Sequence, residues 1–195
     1  VKECAELTEA KEIHWCTGAE EEHQGLIDLM LKNDSLMKLN GGSYENCYLH
    51  RSNPNDVART EHLTFVCSEK EEAAGPNNNW MSPNDAREKS KVLFKGSMRN
   101  RTLYVVPYCM GPLSSPYSQC GVEITDSPYV VVNMRIMTRM GDKALAKIDG
   151  GKPFVKGLHC TGDLSLEKRL ILHFPEAGEI HSFCSGYGGH ALLGK

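Results

Sequence analysis

The sequence predicts an α/β fold, a mixed β-sheet flanked by helices, and three observations carry the prediction. β-Branched and aromatic runs recur along the chain, as in TLYVVPY at 102–108. Segments with helical apolar spacing lie between them. Several strand-to-strand connections are short, which asks for a mixed rather than purely parallel sheet.

The elements follow in order. Thr17 and Glu20 have capping-box spacing, and Leu26, Ile27, Met30 and Leu31 form a helical stripe, so a helix is expected over 18–31. Asn53-Pro54 opens a short helix through Asp56, Val57 and Ala58 to Arg59. Leu63–Cys67 is a strand, and 68–79 (SEKEEAAGPNNN) lacks apolar periodicity and is a surface loop. Ser82-Pro83 opens the next helix. Strands at Thr102–Tyr108 and Gly121–Thr125 bracket a loop of two prolines and three serines at 111–118. Asp126-Ser127-Pro128 starts a helix ending at Gly141, with Val130, Val131, Met134, Met137 and Met140 as its apolar positions. Strands follow near Phe154–Cys160, Leu170–Phe174 and Glu179–Cys184. No internal repeat and no linker interrupts the 195 residues, which fits one domain.

Composition narrows the function classes. With 22 Lys+Arg against 25 Asp+Glu the net charge is -3, unlike the basic excess of a general nucleic-acid binder. The balance is uneven: residues 1–95 carry 11 basic and 17 acidic side chains (-6), residues 96–195 carry 11 and 8 (+3). A mildly basic second half suits a small anionic ligand. No apolar run approaches the roughly 20 residues that span a bilayer, and VKECAELTEAKEIHW is too acidic for a secretory signal. Eight cysteines, none in a C-x-x-C pair, read as reduced thiols of a cytoplasmic protein. Cys67, Cys109 and Cys184 lie in apolar runs and are expected to be buried. The eight histidines show no H-E-x-x-H or H-x-x-E-H spacing. Arg135 and Arg139, four apart on one helix, are expected in structural ion pairs. The chain starts at Val1 and stops at Lys195 where a helix would open, so both ends read as cut.

The most informative stretch is SGYGGHALLGK at 185–195. Glycines directly after an apolar strand let backbone N–H groups approach an anion. The same residues also make a plain tight turn. Gly189-x-x-x-x-Gly194-Lys195 matches a phosphate loop up to the missing Ser or Thr. Leu192 and Leu193 suit the apolar first turn of a helix better than a polar cradle.

Residues 100–141 (NRTLYVVPYCMGPLSSPYSQCGVEITDSPYVVVNMRIMTRMG) resemble a signature stretch of GTP-dependent phosphoenolpyruvate carboxykinase. FVKGLHCTG (154–162), SGYGGHALLGK (185–195), NPNDVARTEHLTFVC (53–67) and IHWCTGAEEE (13–22) continue the likeness in the same order. It covers only the family's N-terminal domain, so residues 1–195 are expected to be that domain, without the C-terminal GTP- and metal-binding domain.

The resemblance implies a reaction in which oxaloacetate and GTP give phosphoenolpyruvate, CO2 and GDP, with Mn2+ at the enzyme site and Mg2+ on the nucleotide. It implies that Arg59 of the DVAR motif holds the substrate carboxylate and that Tyr187, Gly188 and Gly189 contact the substrate. The metal ligands and the genuine GTP loop lie further along in the family, so no metal, GTP or catalytic residue is assigned here, and the chain alone is expected to be inactive and monomeric, with no nucleic-acid or membrane partner. Three positions depart from the family: Cys184 and Asn100 stand in place of glycine, and His190 in place of asparagine. The segment 68–97 is shorter than usual. The alternatives are a non-catalytic dicarboxylate-binding remnant and a nucleotide-binding domain using Gly189–Lys195.

Overall fold

The computed structural model describes residues 1–56 and 60–186. Helix α1 (Lys2–Thr8) and strand β1 (Glu12–Trp15) open the chain, followed by α2 (Glu20–Lys32) and the β2 (Leu36–Lys38) and β3 (Tyr48–His50) hairpin. A short 3-10 turn leads into β4 (Thr64–Val66), and a second precedes β5 (Asn79–Trp80). Then come α3 (Pro83–Phe94), β6 (Thr102–Met110), β7 (Gln119–Thr125), α4 (Pro128–Met137), β8 (Arg139–Met140) and α5 (Asp142–Asp149). Strands β9 (Phe154–Cys160), β10 (Leu170–Phe174) and β11 (Glu179–Phe183) complete the described part.

Among the described residues nine strands form one mixed sheet, ordered β1-β6-β7-β9-β11-β10-β4-β5, with β8 pairing on β6. β7, β9 and β11 run parallel, whereas β6 and β10 run against them. Both faces are covered, as a mixed α/β sheet requires. On one face α2 and α4 pack Leu26, Ile27, Met30 and Val131 over Tyr104 and Val106. On the other, Phe94 and Met98 pack over Leu103, Val105, Ile124, Leu158 and Phe183, with α1 joining at the margin. The alternation of Leu103/Val105 with Tyr104/Val106 is the period-2 pattern of a strand buried on both sides.

Several expectations are corrected by packing. Helix α2 has no Thr17–Glu20 capping box: Ala19 is the cap residue, and Glu22 instead accepts from the Thr17 and Gly18 N–H groups at 3.1 and 2.8 Å. The 53–56 segment is a turn, closed by Asp56 N–H to Asn53 O at 2.8 Å and Asn55 N–H to Asn53 Oδ1 at 2.9 Å. The rest of the short helix expected there lies outside the described residues. The loop expected at 68–79 holds a 3-10 turn at Glu71–Ala74 and the start of β5. Helix α4 stops at Met137, with Met137 exposed and Met140 in β8. Gly141 then caps α5 at φ 90°, where a Cβ would lie 1.7 Å from Thr17 O. That close backbone crossing, not a helix end, is why glycine stands there.

Candidate functional site

The parallel strands β7, β9 and β11 end on the same edge of the sheet, where α/β folds place their ligands. Asp126 follows β7, Thr161 and Gly162 follow β9, and Ser185 and Gly186 follow β11. A cleft of about 340 Å³ opens there, lined by Arg101, Asp126, Thr161 and Gly186 and by His50, Ser52 and Tyr129.

Its walls are held by buried polar bonds. The Asp126 side chain is fully buried; Oδ1 accepts from the Thr161 N–H at 2.8 Å and Oδ2 from Arg101 Nη1. The pair fixes Arg101 with part of its guanidinium facing the cleft, an arrangement that suits a planar fork. His159 is fully buried, and its Nε2–H donates to Ser185 O at 2.5 Å. A carbonyl only accepts, so Nδ1 carries the lone pair and takes the Thr125 hydroxyl at 2.7 Å, while Thr125 Oγ1 accepts from Ser127 N–H at 3.0 Å. Burial holds the His159 imidazole below its usual pKa, so this chain is set by a neutral ring. Arg169 Nε donates to Cys184 O at 2.8 Å, holding the backbone just before Ser185. His50 Nδ1 donates to Ser35 O at 2.6 Å, and its ring stacks on Tyr129 at 3.8 Å. The Ser52 hydroxyl is buried and finds no partner among the described residues.

The expected site residues Arg59, Tyr187, Gly188 and Gly189 lie outside the described residues, as does the 189–195 look-alike loop. The segments leading to them meet nonetheless. Asp56 is buried, and its Oδ1 accepts from Gly186 N–H at 2.8 Å. A Cβ on Gly186 would lie 2.3 Å from Asp56 Oδ2, so the approach itself requires glycine. Thus the chain three residues before Arg59 touches the residue next to Tyr187.

The sequence model described as the phosphoenolpyruvate carboxykinase N-terminal domain matches residues 1–195. The chain belongs to the phosphoenolpyruvate carboxykinase N-terminal domain family. Proteins called phosphoenolpyruvate carboxykinase [GTP] are similar to it over its full length: 49% identical in Anaeromyxobacter dehalogenans (strain 2CP-C), 48% in Neocallimastix frontalis and 47% in Corynebacterium jeikeium (strain K411). The chain spans about a third of the length of these curated relatives, 33% of the first and 34% of the other two.

Two departures from the carboxykinase pattern now have a physical setting. Cys184 and Asn100, where the resemblance expects glycine, sit at φ 57° and 61°, the left-handed region. Asparagine tolerates that region better than cysteine does. The Cys184 thiol is buried against Asp163 Oδ1 at 3.2 Å. Arg135 makes the expected structural contacts, to Gly18 O at 3.1 Å and Glu20 at 2.5 Å, whereas Arg139 has no ion pair among the described residues. Cys67, Cys109 and Cys184 are buried as expected, and all eight cysteines are free.

Sequence reading missed Asp56, Arg101, Asp126 and His159. The signal for Asp56 was in the DVAR run itself, and for Asp126 in the TDSP helix start. His159 sits among apolar residues, with nothing local to mark its partner 26 residues away. Beside this cleft no three His, Cys or carboxylate ligands converge among the described residues. No described helix is long and apolar enough to cross a membrane.

Proposed function

We propose that this domain supplies the oxaloacetate side of a GTP-dependent phosphoenolpyruvate carboxykinase. The full protein would convert oxaloacetate and GTP to phosphoenolpyruvate, CO2 and GDP. Arg59 holds a substrate carboxylate through its guanidinium fork, and Tyr187, Gly188 and Gly189 close around the small diacid. What supports this reading is the Asp56–Gly186 hydrogen bond, which brings the two motif segments to one place at the carboxyl ends of parallel strands. Arg101 in the wall, its charge balanced by Asp126, still offers the unpaired part of its guanidinium as a hydrogen-bond donor to an anion. Residues 1–195 form the N-terminal domain in this reading, with GTP, Mn2+ and Mg2+ belonging to a following domain. A monomer in a cytoplasm that keeps its thiols reduced completes it, and eight free cysteines fit such a setting.

The test is Arg59→Ala in a full-length carboxykinase carrying this domain. A carboxylate that loses a charged donor loses about 1.5–3 kcal/mol, so kcat/KM for oxaloacetate should fall about 10- to 150-fold. The KM for GTP should stay within about twofold, and Arg59→Lys should recover only part of the loss. Equal losses toward both substrates, or none, would reject the assignment.

A further inference from the structure

A second polar cluster lies at the N-terminal end of α2, about 12–17 Å along the helix from Met30 and Asn33 at the cleft. His14 and Cys16 alternate along β1 and its extension, so both fall on one side of the strand. Glu22, in the first turn of α2, reaches back to them: its Oε1 lies 2.8 Å from His14 Nε2. One ligand atom from each of His14, Cys16 and Glu22 lies within 4.8 Å of the others. Among the described residues this group offers a metal ion nitrogen, sulfur and oxygen together.

We propose that His14, Cys16 and Glu22 form a binding site for a borderline-soft divalent cation, with Zn2+ as the fitting ion. Imidazole, thiolate and carboxylate are its usual ligands. A tetrahedral zinc ion with bonds of about 2.0–2.3 Å holds its ligand atoms about 3.3–3.8 Å apart. The 2.8 Å His14–Glu22 separation must therefore open by about half an ångström, and the wider separations must close by about one. The supports are firm. Thr17 and Gly18 N–H groups hold the Glu22 carboxylate, Cys16 N–H donates to Val105 O at 2.9 Å, and the His14 ring packs edge-on to Tyr104 at 5.7 Å. The Cys16 side chain is buried, while His14 is exposed and leaves an approach from solvent.

The proton balance is simple. Cys16 is a buried thiol and must give up its proton to ligate. Binding releases the thiol proton to solvent, and the His14 nitrogen that faces the ion must offer its lone pair, with any N–H on the other ring nitrogen. Thiolate and carboxylate together cancel the ion's charge, so the positive end of the α2 dipole meets no net cation. No bond changes oxidation state.

The experiment uses the purified chain with Cys47, the exposed thiol, replaced by serine, so that binding there is not counted. Zn2+ titration by calorimetry should show one site with release of protons to the buffer, and Co2+ should give a thiolate-to-cobalt band in the near ultraviolet. Cys16→Ser should abolish the band, and it and His14→Ala should each weaken Zn2+ at least about 10-fold, the loss that even outer-shell changes cause. His14 is exposed, so His14→Ala should keep its unfolding midpoint in the absence of metal and separates lost ligation from lost folding. Unchanged affinity in both variants, no thiolate band, or binding that requires Cys47 would overturn the site. The outcome does not depend on carboxykinase activity.

Discussion

Asp56 and Gly186, 130 residues apart, share a hydrogen bond of 2.8 Å between carboxylate and backbone N–H. The bond locks the approach to Arg59 against the approach to Tyr187. Gly186→Ala puts a methyl within 2.3 Å of Asp56 Oδ2 and must displace the carboxylate. Overpacking of this kind costs about 1–3 kcal/mol, which urea unfolding will measure. An unchanged midpoint would show that the contact is not rigid.

Thr125→Val removes the hydroxyl that both accepts from Ser127 N–H and donates to the buried His159. The stranded polar groups should cost about 1–3 kcal/mol, well above a surface substitution. Thermal melting at pH 7 checks this, and a loss below about 0.5 kcal/mol would count against it.

Burial lowers the pKa of His159, His173 and His181, that of His181 to about 4 from 6.5. The unfolded chain thus binds protons that the folded chain refuses. The histidine contribution is fully present above pH 6.5 and drains away as pH falls toward 4. Melting temperature should drop steadily across that window. A flat profile would contradict the burial of these rings.

Glu123 runs the other way. Its carboxyl lies over Gly157 on the sheet face, and burial pushes its pKa up to about 8. The neutral form is the one the fold prefers, so this contribution is complete below pH 4.5 and lost as pH rises through about 8. Glu123→Gln should therefore stabilise the chain at pH 9 and change little at pH 4. Equal effects at both pH values would place the carboxylate in water.

At Cys184 the comparison is between two small replacements. Both Cys184→Gly and Cys184→Ala lose the buried sulfur, but only glycine is at ease at φ 57°. Glycine should be the more stable of the two by about 1 kcal/mol. Alanine equal to or better than glycine would show that the positive φ at this position carries no strain.

The long β-strands and the helices opened at Ser82-Pro83 and Ser127-Pro128 were legible because their signals are local. Ser82 caps α3 at 3.2 Å and Ser127 caps α4 at 3.3 Å, as Ser-Pro spacing asks. Helix α1 carries no side-chain cap, and β1 is a four-residue exposed edge strand without alternation, so neither left a pattern to read. Helix α5 was hidden by Gly141, which reads as an end and serves as a beginning. Of the cleft's lining, Gly186 alone falls in the glycine-rich stretch that the sequence singled out. Its supports, Asp126 with Arg101 and His159 with Ser185, pair residues 25 and 26 apart, and sequence spacing carries no mark of such partners.

The order of strands in the sheet also bears on how the chain is made. β4 finds its parallel partner in β10, where Thr64 lies against Ile171, so a ribosome must deliver about a hundred more residues before that pairing can form. The Asp56–Gly186 bond waits longer still. Contacts so distant in sequence form slowly, because the entropy of closing the loop precedes the gain. During synthesis β4 can therefore pair early only with the two-residue β5, which leaves its other edge open to chaperones or to other nascent chains, while β6 and β7 can already zip together as a hairpin of neighbours.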